Sequence, residues 1–211
     1  MRIEQIVLTF WVAYLIGSIP VAYVVGRLNG VNIFAIGSGN MGAANVARGV
    51  GGKWGALTWV LDSVKGAVTI YLVRQMNPDH TAMATMIGAI GVIVGHNWSV
   101  VVMIITGRLR GGKGAAAAIG TWLVFLPFWL VVAALLTWVG ILILTRFISL
   151  AVLATTGLVS LMIVALVVFG YYEPIYISYL IVTAMIFFRH RDNIQRLIAG
   201  NERRFGHSAA P

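Results

Sequence analysis

The sequence Gly111-Gly112-Lys113-Gly114 separates two long apolar stretches, residues 83–105 and 115–144. Apolar stretches of about 18 residues or more, long enough to cross a bilayer, recur along the chain. Hydrophobic residues make up 60% of the 211 residues and charged residues only 10%, and the mean hydropathy is +0.92. Only helices and closed barrels satisfy their backbone in lipid, and these stretches lack the alternation of barrel strands. We therefore predict an all-α polytopic membrane protein.

The predicted spans belong to a single domain, residues 1–211. The first span is interpreted as a retained helix, because no small-residue cleavage pattern follows it. Pro20 is expected to kink the first span near its end, and Pro127 to break the stretch 115–144. The tail after the last span is expected to be helical through Leu197. The predicted spans are residues 6–25, 54–73, 83–105, 115–144, 150–169 and 175–188.

Positive charge is distributed unevenly between the loops. Fifteen Lys and Arg residues against six Asp and Glu residues give a net charge of +9. These charges lie mostly in short loops between apolar stretches. We therefore interpret them as topology signals that also attract anionic lipid or phosphorylated substrates, and not as a nucleic-acid binding surface. By the positive-inside rule the basic loops are cytoplasmic, so residues 115–144 must cross twice. This gives seven helices with the N-terminus outside, and one re-entrant hairpin in place of that pair is the alternative. The basic loops contain Arg27, Arg48, Lys53, Arg108, Arg110, Lys113, Arg146, Arg189, Arg191, Arg196, Arg203 and Arg204, whereas Arg2 and Arg74 lie elsewhere.

The sequence contains no cysteine. Disulfides, thiolate nucleophiles, cysteine-based metal sites and thioester acyl-enzymes are therefore excluded. No cluster of carboxylates indicates a catalytic metal, and we expect neither a cofactor nor an obligate protein partner.

The glycine loop at residues 111–114 has two interpretations. Glycine lets the backbone approach a ligand closely, so the N–H groups of Gly112 and Gly114 can converge on an anion to which Lys113 adds a positive charge. The loop is then a cradle for a phosphate or acyl phosphate. Alternatively, it is a flexible turn whose lysine anchors a helix end at the headgroups. It nearly matches a nucleotide-binding P-loop, but no strand precedes it, and Gly114 occupies the position of the required Ser or Thr.

A second glycine-rich segment, residues 37–48, matches the dinucleotide-binding pattern but also follows a membrane helix instead of a strand. Its glycines are again suited to phosphate. The neighbouring asparagines and arginine supply directional donors and one bidentate fork for phosphate. Capping and turn formation are the alternative for the asparagines. The candidate binding residues are Ser38, Gly39, Asn40, Gly42, Asn45 and Arg48.

Two charged residues stand inside the second predicted span. Asp62 and Lys65 lie on one helix face at i, i+3. A single charge near the membrane centre costs roughly 2.5–3.5 kcal/mol, so we predict that the two side chains pair and face the bundle interior. The pair is either structural or part of a substrate site. His96, in the third span, is interpreted as an interior hydrogen-bonding residue.

A polar face is also predicted in the C-terminal tail. His190 has Asn193 at i+3 and is flanked by Arg189 and Arg191. This face suits a triol phosphate or the orientation of a reacting hydroxyl. The alternative is that the arginines extend to the lipid headgroups.

Together these segments resemble the PlsY-type acyl-phosphate:glycerol-3-phosphate acyltransferases of bacterial inner membranes, over nearly the whole chain and in order. Three differences stand out: Ser99 replaces a usual proline, the stretch from His96 to Gly111 is several residues longer, and Ala44 replaces a usual threonine. The matching segments are Gly37-Ser38-Gly39-Asn40-x-Gly42-Ala43-x-Asn45-Val46 with Arg48, Leu61-Asp62-x-x-Lys65-Gly66, Gly95-His96, Gly111-Gly112-Lys113-Gly114, Arg146 with Ser149-Leu150-Ala151, and Arg189-His190-x-x-Asn193-Ile194-x-Arg196-Leu197-x-x-Gly200-x-Glu202.

The resemblance implies seven membrane helices with the N-terminus outside, and an active site on the cytoplasmic face of the inner membrane. It implies transfer of an acyl group from acyl phosphate to the 1-hydroxyl of glycerol 3-phosphate, which gives lysophosphatidic acid and phosphate. We predict direct transfer without an acyl-enzyme. The proton leaves through His190 or through the donor's own phosphate. A membrane transporter for a phosphorylated metabolite is the alternative function. The predicted catalytic residues are Ser38, Lys113, His190 and Asn193, and the predicted binding residues are Gly39, Asn40, Gly42, Asn45, Arg48, Lys65, Gly112, Gly114, Ser149 and Glu202, with no metal ligands.

Overall fold

The computed structural model describes residues 1–206, and this part of the chain contains helices but no β-strand. The all-α part of the predicted fold class is therefore confirmed. Two short 3-10 helices, Pro78–His80 and Pro174–Ser178, join longer elements. The α-helices are α1 (Ile3–Gly17), α2 (Val21–Leu28), α3 (Ala43–Gly49), α4 (Gly52–Met76), α5 (Thr81–Asn97), α6 (Val100–Thr106), α7 (Ala115–Phe125), α8 (Phe128–Thr145), α9 (Ile148–Val168), α10 (Tyr179–Arg189) and α11 (Arg191–Ile198).

Four helical stretches within residues 1–206 are long and apolar enough to cross a membrane: Ile3–Leu28, Gly52–Met76, Phe128–Thr145 and Ile148–Val168. The apolar helix α7 has 11 residues, a length of about 17 Å at 1.5 Å per residue. That is roughly half of the hydrocarbon thickness. Seven crossings therefore stay a prediction.

The breaks between helices follow the sequence only in part. The helix pair α7 and α8 is interrupted at Pro127, as predicted, and the first span is fully broken before Pro20 instead of being kinked. The prediction of one helix over residues 83–105 is wrong. The chain leaves helical geometry after Asn97, and Ser99 starts α6 because its side chain accepts a hydrogen bond from Val102 N at 3.1 Å. The glycine-rich segment at 37–48 is also not all loop, since its second half forms α3.

The chain divides into two compact units, one from Met1 to Phe125 and one that begins at Leu126. In the first unit α5 packs against α1 and α4, and α4 packs against α7. The approach of α1 to α5 is close: a Cβ atom at Gly95 would lie 2.1 Å from Tyr14 O. Small residues at such crossings are typical of helices packed in a membrane. In the second unit α9 packs against α8 and α10, and a hydrogen bond joins Ser160 to Thr183.

Candidate active site

The two glycine-rich segments predicted from the sequence lie against each other at one end of the first unit. Met41 N donates to Gly111 O at 3.4 Å, and a Cβ atom at Gly112 would lie 2.5 Å from Met41 O. The Arg110 guanidinium stacks on the Phe34 ring, with 4.0 Å between Cζ and the ring centroid. The structure thus brings two sequence-distant phosphate-type loops into one place.

The first glycine loop is shaped by Asn45. Its Oδ1 accepts hydrogen bonds from Ser38 N at 3.0 Å and from Ser38 Oγ at 3.3 Å. Its Nδ2 donates to Ile33 O at 2.8 Å, and the residue is buried. Because both ends of the amide are used inside the loop, Asn45 is placed to position Ser38 and not to touch a substrate. Ser38 and Arg48 are exposed, whereas the other predicted binding residues of this loop, Gly39, Asn40 and Gly42, are half-buried.

The second glycine loop is held by the C-terminal end of α5. Gly112 N donates to His96 O at 2.9 Å. A Cβ atom at Gly112 would lie 2.0 Å from His96 Nε2, so only glycine fits there. The N–H group of Gly112 is therefore engaged within the fold, which corrects the prediction that it faces the anion. Lys113 is half-buried, and α7 begins two residues after it.

A buried ionic cluster, formed by Asp62, Lys65 and His96, lies inside the first unit. Lys65 Nζ is 2.8 Å from Asp62 Oδ1 and 3.0 Å from His96 Nδ1. The predicted ion pair is confirmed, and His96 is an interior hydrogen-bonding residue, as predicted. An ammonium group can only donate, so His96 Nδ1 accepts and the ring proton belongs on Nε2.

Lys65 also ties this cluster to the break between α1 and α2. Its Nζ donates to Gly17 O and to Ile19 O, both at 3.1 Å. An ammonium has three N–H groups, and its three hydrogen-bond acceptors, Gly17 O, Ile19 O and His96 Nδ1, use all of them. Lys65 is therefore not placed to bind a substrate phosphate directly, which corrects the sequence prediction. It fixes the helices beneath the loop instead.

In the second unit, the predicted polar face at the start of α11 is ordered by Glu202. Asn193 Nδ2 donates to Glu202 Oε1 at 2.8 Å, and Arg196 Nε donates to Glu202 Oε2 at 2.9 Å. Both carboxylate oxygens are thus used to hold neighbouring side chains. Glu202 is accordingly a positioning residue, in contrast to its predicted contact with substrate.

His190 and Ser149 are the other predicted site residues of this unit, and both are buried. His190 Nδ1 lies 2.8 Å from Ile186 O. A carbonyl can only accept, so the proton is on Nδ1, and Nε2 is the basic nitrogen of the neutral ring. Ser149 Oγ, in the first turn of α9, has no hydrogen-bond partner within the described residues.

Sequence reasoning missed two features of the site. The link between His96 and the Asp62–Lys65 pair joins residues more than 30 positions apart, and no spacing rule predicts it. The second is Asn97, whose side chain is buried. Its position next to His96, at the C-terminal end of α5, is the signal that could have identified it.

Comparison with known proteins places these motifs in a family. Residues 7–200 match the family model described as glycerol-3-phosphate acyltransferase. A glycerol-3-phosphate acyltransferase of Aquifex aeolicus is 35% identical over 193 residues, which is 92% of this chain and 95% of the relative. The relative of the same name from Desulforudis audaxviator is 35% identical over 201 residues, or 95% of this chain and 96% of that protein.

Solved structures agree with these sequence relatives. The fold is similar to the crystal structure of PlsY, an integral membrane glycerol 3-phosphate acyltransferase, in its glycerol 3-phosphate form, with a TM-score of 0.83, 33% identity and coverage of 95% of this chain and 96% of that one. The lysophosphatidic acid form of PlsY has a TM-score of 0.80, 34% identity and coverage of 95% of both chains.

Proposed function

Since the chain belongs to the glycerol-3-phosphate acyltransferase family, we propose that it transfers an acyl group from an acyl phosphate to the 1-hydroxyl of sn-glycerol 3-phosphate. The products are lysophosphatidic acid and inorganic phosphate. The observation that carries the proposal is the contact between the two glycine loops, with Ser38 held by one and Lys113 carried by the other. This arrangement suits a donor that presents a phosphate beside a reactive carbonyl.

In this proposal the acyl phosphate is bound by Lys113, by N–H groups at the start of α7 that include Gly114, and by the hydroxyl of Ser38, which exchanges its 3.3 Å hydrogen bond to Asn45 Oδ1 for one to the phosphate. The first N–H groups of a helix have no intrahelical partner and favour an anion. Ser38 is exposed, and its orientation is set by Asn45. The cationic Lys113 is suited to stabilise the phosphate as it leaves with a growing negative charge.

Glycerol 3-phosphate is bound by a different set of residues. We assign Ser149 to its phosphate and His190 with Asn193 to its hydroxyls, all three in the second unit. The unpartnered Oγ of Ser149 supports this role, since a buried polar group calls for a partner. In the first unit we assign Arg48 to phosphate binding by itself, since its exposed planar guanidinium pairs well with phosphate oxygens.

The chemistry is a single displacement. The 1-hydroxyl oxygen attacks the acyl carbonyl carbon and forms the new ester bond, while the bond from that carbon to the bridging phosphate oxygen breaks. The phosphate leaves with the electron pair. The hydroxyl proton passes to the phosphate of the donor, and His190 binds the hydroxyl of glycerol 3-phosphate. An acyl phosphate is already activated, so no covalent enzyme intermediate is required.

The proposal includes a topology for the whole chain, acting as one acyltransferase domain in the bacterial inner membrane. The asymmetry of basic residues supports seven crossings, the N-terminus outside, and the motif loops on the cytoplasmic side. The exposed apolar side chains of the long helices, among them Leu136 and Leu161, support contact with membrane lipid.

The test is an omission assay on the purified protein in detergent. Phosphate release is expected only when palmitoyl phosphate and glycerol 3-phosphate are both present. A matched sample in liposomes is assayed for uptake of labelled glycerol 3-phosphate. Saturable uptake without phosphate release would contradict the enzyme and favour a transporter for a phosphorylated metabolite.

A further inference from the structure

Asn97 stands out among the buried polar residues of the first unit. Its side chain is 0% exposed, and neither Nδ2 nor Oδ1 has a hydrogen-bond partner within residues 1–206. A buried amide without partners destabilises a fold, and an apolar side chain of similar size would avoid that cost. The position of Asn97 therefore calls for a reason beyond packing.

The amide of Asn97 lies beside the second glycine loop. A Cβ atom at Gly114 would be 3.3 Å from Asn97 Oδ1 and 3.1 Å from Ile93 Cγ2. Gly114 has a φ of +87°, a left-handed conformation that favours glycine. The chain thus turns into α7 directly over the side chain of Asn97.

The N-terminus of α7 supplies possible partners for this amide. It is an 11-residue helix, and the N–H groups of its first turn have no carbonyl four residues earlier within the helix. The end of α5 already accepts one loop hydrogen bond, from Gly112 N to His96 O at 2.9 Å. Asn97 is the next residue along, and the 3.3 Å between its Oδ1 and a Cβ at Gly114 places its amide next to the loop backbone.

We propose that Asn97 is a positioning residue for the 111–114 loop: its amide forms hydrogen bonds to the loop backbone when the donor phosphate is bound, and so fixes Lys113 and the start of α7 on that phosphate. This inference rests on the proposed function, because it names the residue that shapes the acyl-phosphate site. The amide is unpaired in the ligand-free fold and paired in the substrate complex. The unpaired amide destabilises the free protein, and its hydrogen bonds in the complex hold the loop in one defined position.

Asn97→Leu tests this, with Asn77→Leu as the matched control. Asn77 is also buried, but its Nδ2 donates to Thr9 Oγ1 at 3.0 Å and to Val73 O at 2.9 Å. Thermal unfolding should give Asn97→Leu a Tm about 2–4 °C above wild type, since an unpaired polar group is removed. The same substitution at Asn77 should lower the Tm by a similar amount or more, because it leaves Thr9 Oγ1 and Val73 O without their donor.

The kinetic result should run the opposite way. Asn97→Leu is expected to lose about 10- to 100-fold in kcat/KM for palmitoyl phosphate, the scale of a misplaced binding group, while KM for glycerol 3-phosphate stays at the wild-type value. Asn97→Ala, which also lacks the amide, should repeat that selective loss. Asn77→Leu should keep both kinetic constants.

Three outcomes would overturn the inference or its premise. Wild-type kinetic constants in a stable Asn97→Leu protein would contradict the positioning role alone. A Tm that falls as far as in Asn77→Leu would contradict it as well, by showing that the amide is already paired in the free protein. A wild-type protein that forms no lysophosphatidic acid would contradict the proposed function, and the role of Asn97 with it.

Discussion

Replacing Lys65 by methionine removes the centre of the buried ionic cluster while keeping most of the side-chain volume. Asp62 Oδ1, 2.8 Å from Lys65 Nζ in the native protein, would then be a buried carboxylate without its cation. The carbonyls of Gly17 and Ile19 would lose the donor that joins them to α4. We therefore expect a large loss of stability.

The magnitude follows from burial. The side chains of Lys65 and Asp62 are only 4% and 3% exposed, so solvent screens them little. Breaking such a buried pair by removing one partner costs about 3–5 kcal/mol. At about 2–4 °C per kcal/mol for a chain of this size, Lys65→Met should lower the Tm by roughly 6–20 °C.

The assay is thermal unfolding in detergent, followed through the fluorescence of the seven tryptophans. Lys53→Met is the control, because Lys53 lies in the same helix but is exposed, and its loss should cost less than about 0.5 kcal/mol. The double variant Asp62→Leu, Lys65→Met should recover much of the loss, since buried ion pairs can be replaced by apolar residues. A Lys65→Met protein as stable as Lys53→Met would refute the argument that this cluster holds the helices beneath the loop.

Three further predictions concern the site and its orientation. In steady-state kinetics, Lys113→Ala should lower the turnover rate by about 10²- to 10³-fold. Lys113→Arg should not fully restore it, because a planar guanidinium does not replace a compact ammonium. Near-normal turnover in Lys113→Ala would remove the loop from the mechanism. His190→Ala should mainly raise KM for glycerol 3-phosphate, whereas a fall in kcat at unchanged KM, with loss of the acidic limb of the pH–rate profile, would instead make His190 the base. Single cysteines placed at Asn77 and Lys113 should react with a membrane-impermeant reagent from opposite sides of the membrane, and labelling from one side would contradict the proposed topology.

The helical architecture was predictable because it depends on the length and apolarity of continuous stretches. The pairing of Asp62 with Lys65 was predictable too, since their i, i+3 spacing and the cost of a lone charge in lipid both point to it. These are local properties, and they can be inferred from neighbouring residues alone.

The parts that failed depend on tertiary contacts. The chain breaks between the end of α5 at Asn97 and the start of α6 after Ser99. This break is stabilised by Ser99 Oγ, which donates to Ser18 O at 2.6 Å, 81 residues away in sequence. Gly112 was predicted to donate a hydrogen bond to an anion, because glycine exposes its N–H group. Whether that group contacts a ligand or His96 O depends on how α5 ends. Lys65 similarly looked available for phosphate until its carbonyl partners at the break in the first span were known.

Direct acyl transfer is tested most directly by a single-turnover experiment with palmitoyl phosphate labelled in its acyl chain. The protein is mixed with the donor, quenched at successive times, and separated into protein, free fatty acid and lysophosphatidic acid. With glycerol 3-phosphate present, we predict that label passes from donor to lysophosphatidic acid, with an equal amount of phosphate released and no label on the protein. Without glycerol 3-phosphate, the donor should remain intact. Label that accumulates on the protein in the absence of glycerol 3-phosphate, and then moves to lysophosphatidic acid when it is added, would contradict the single displacement.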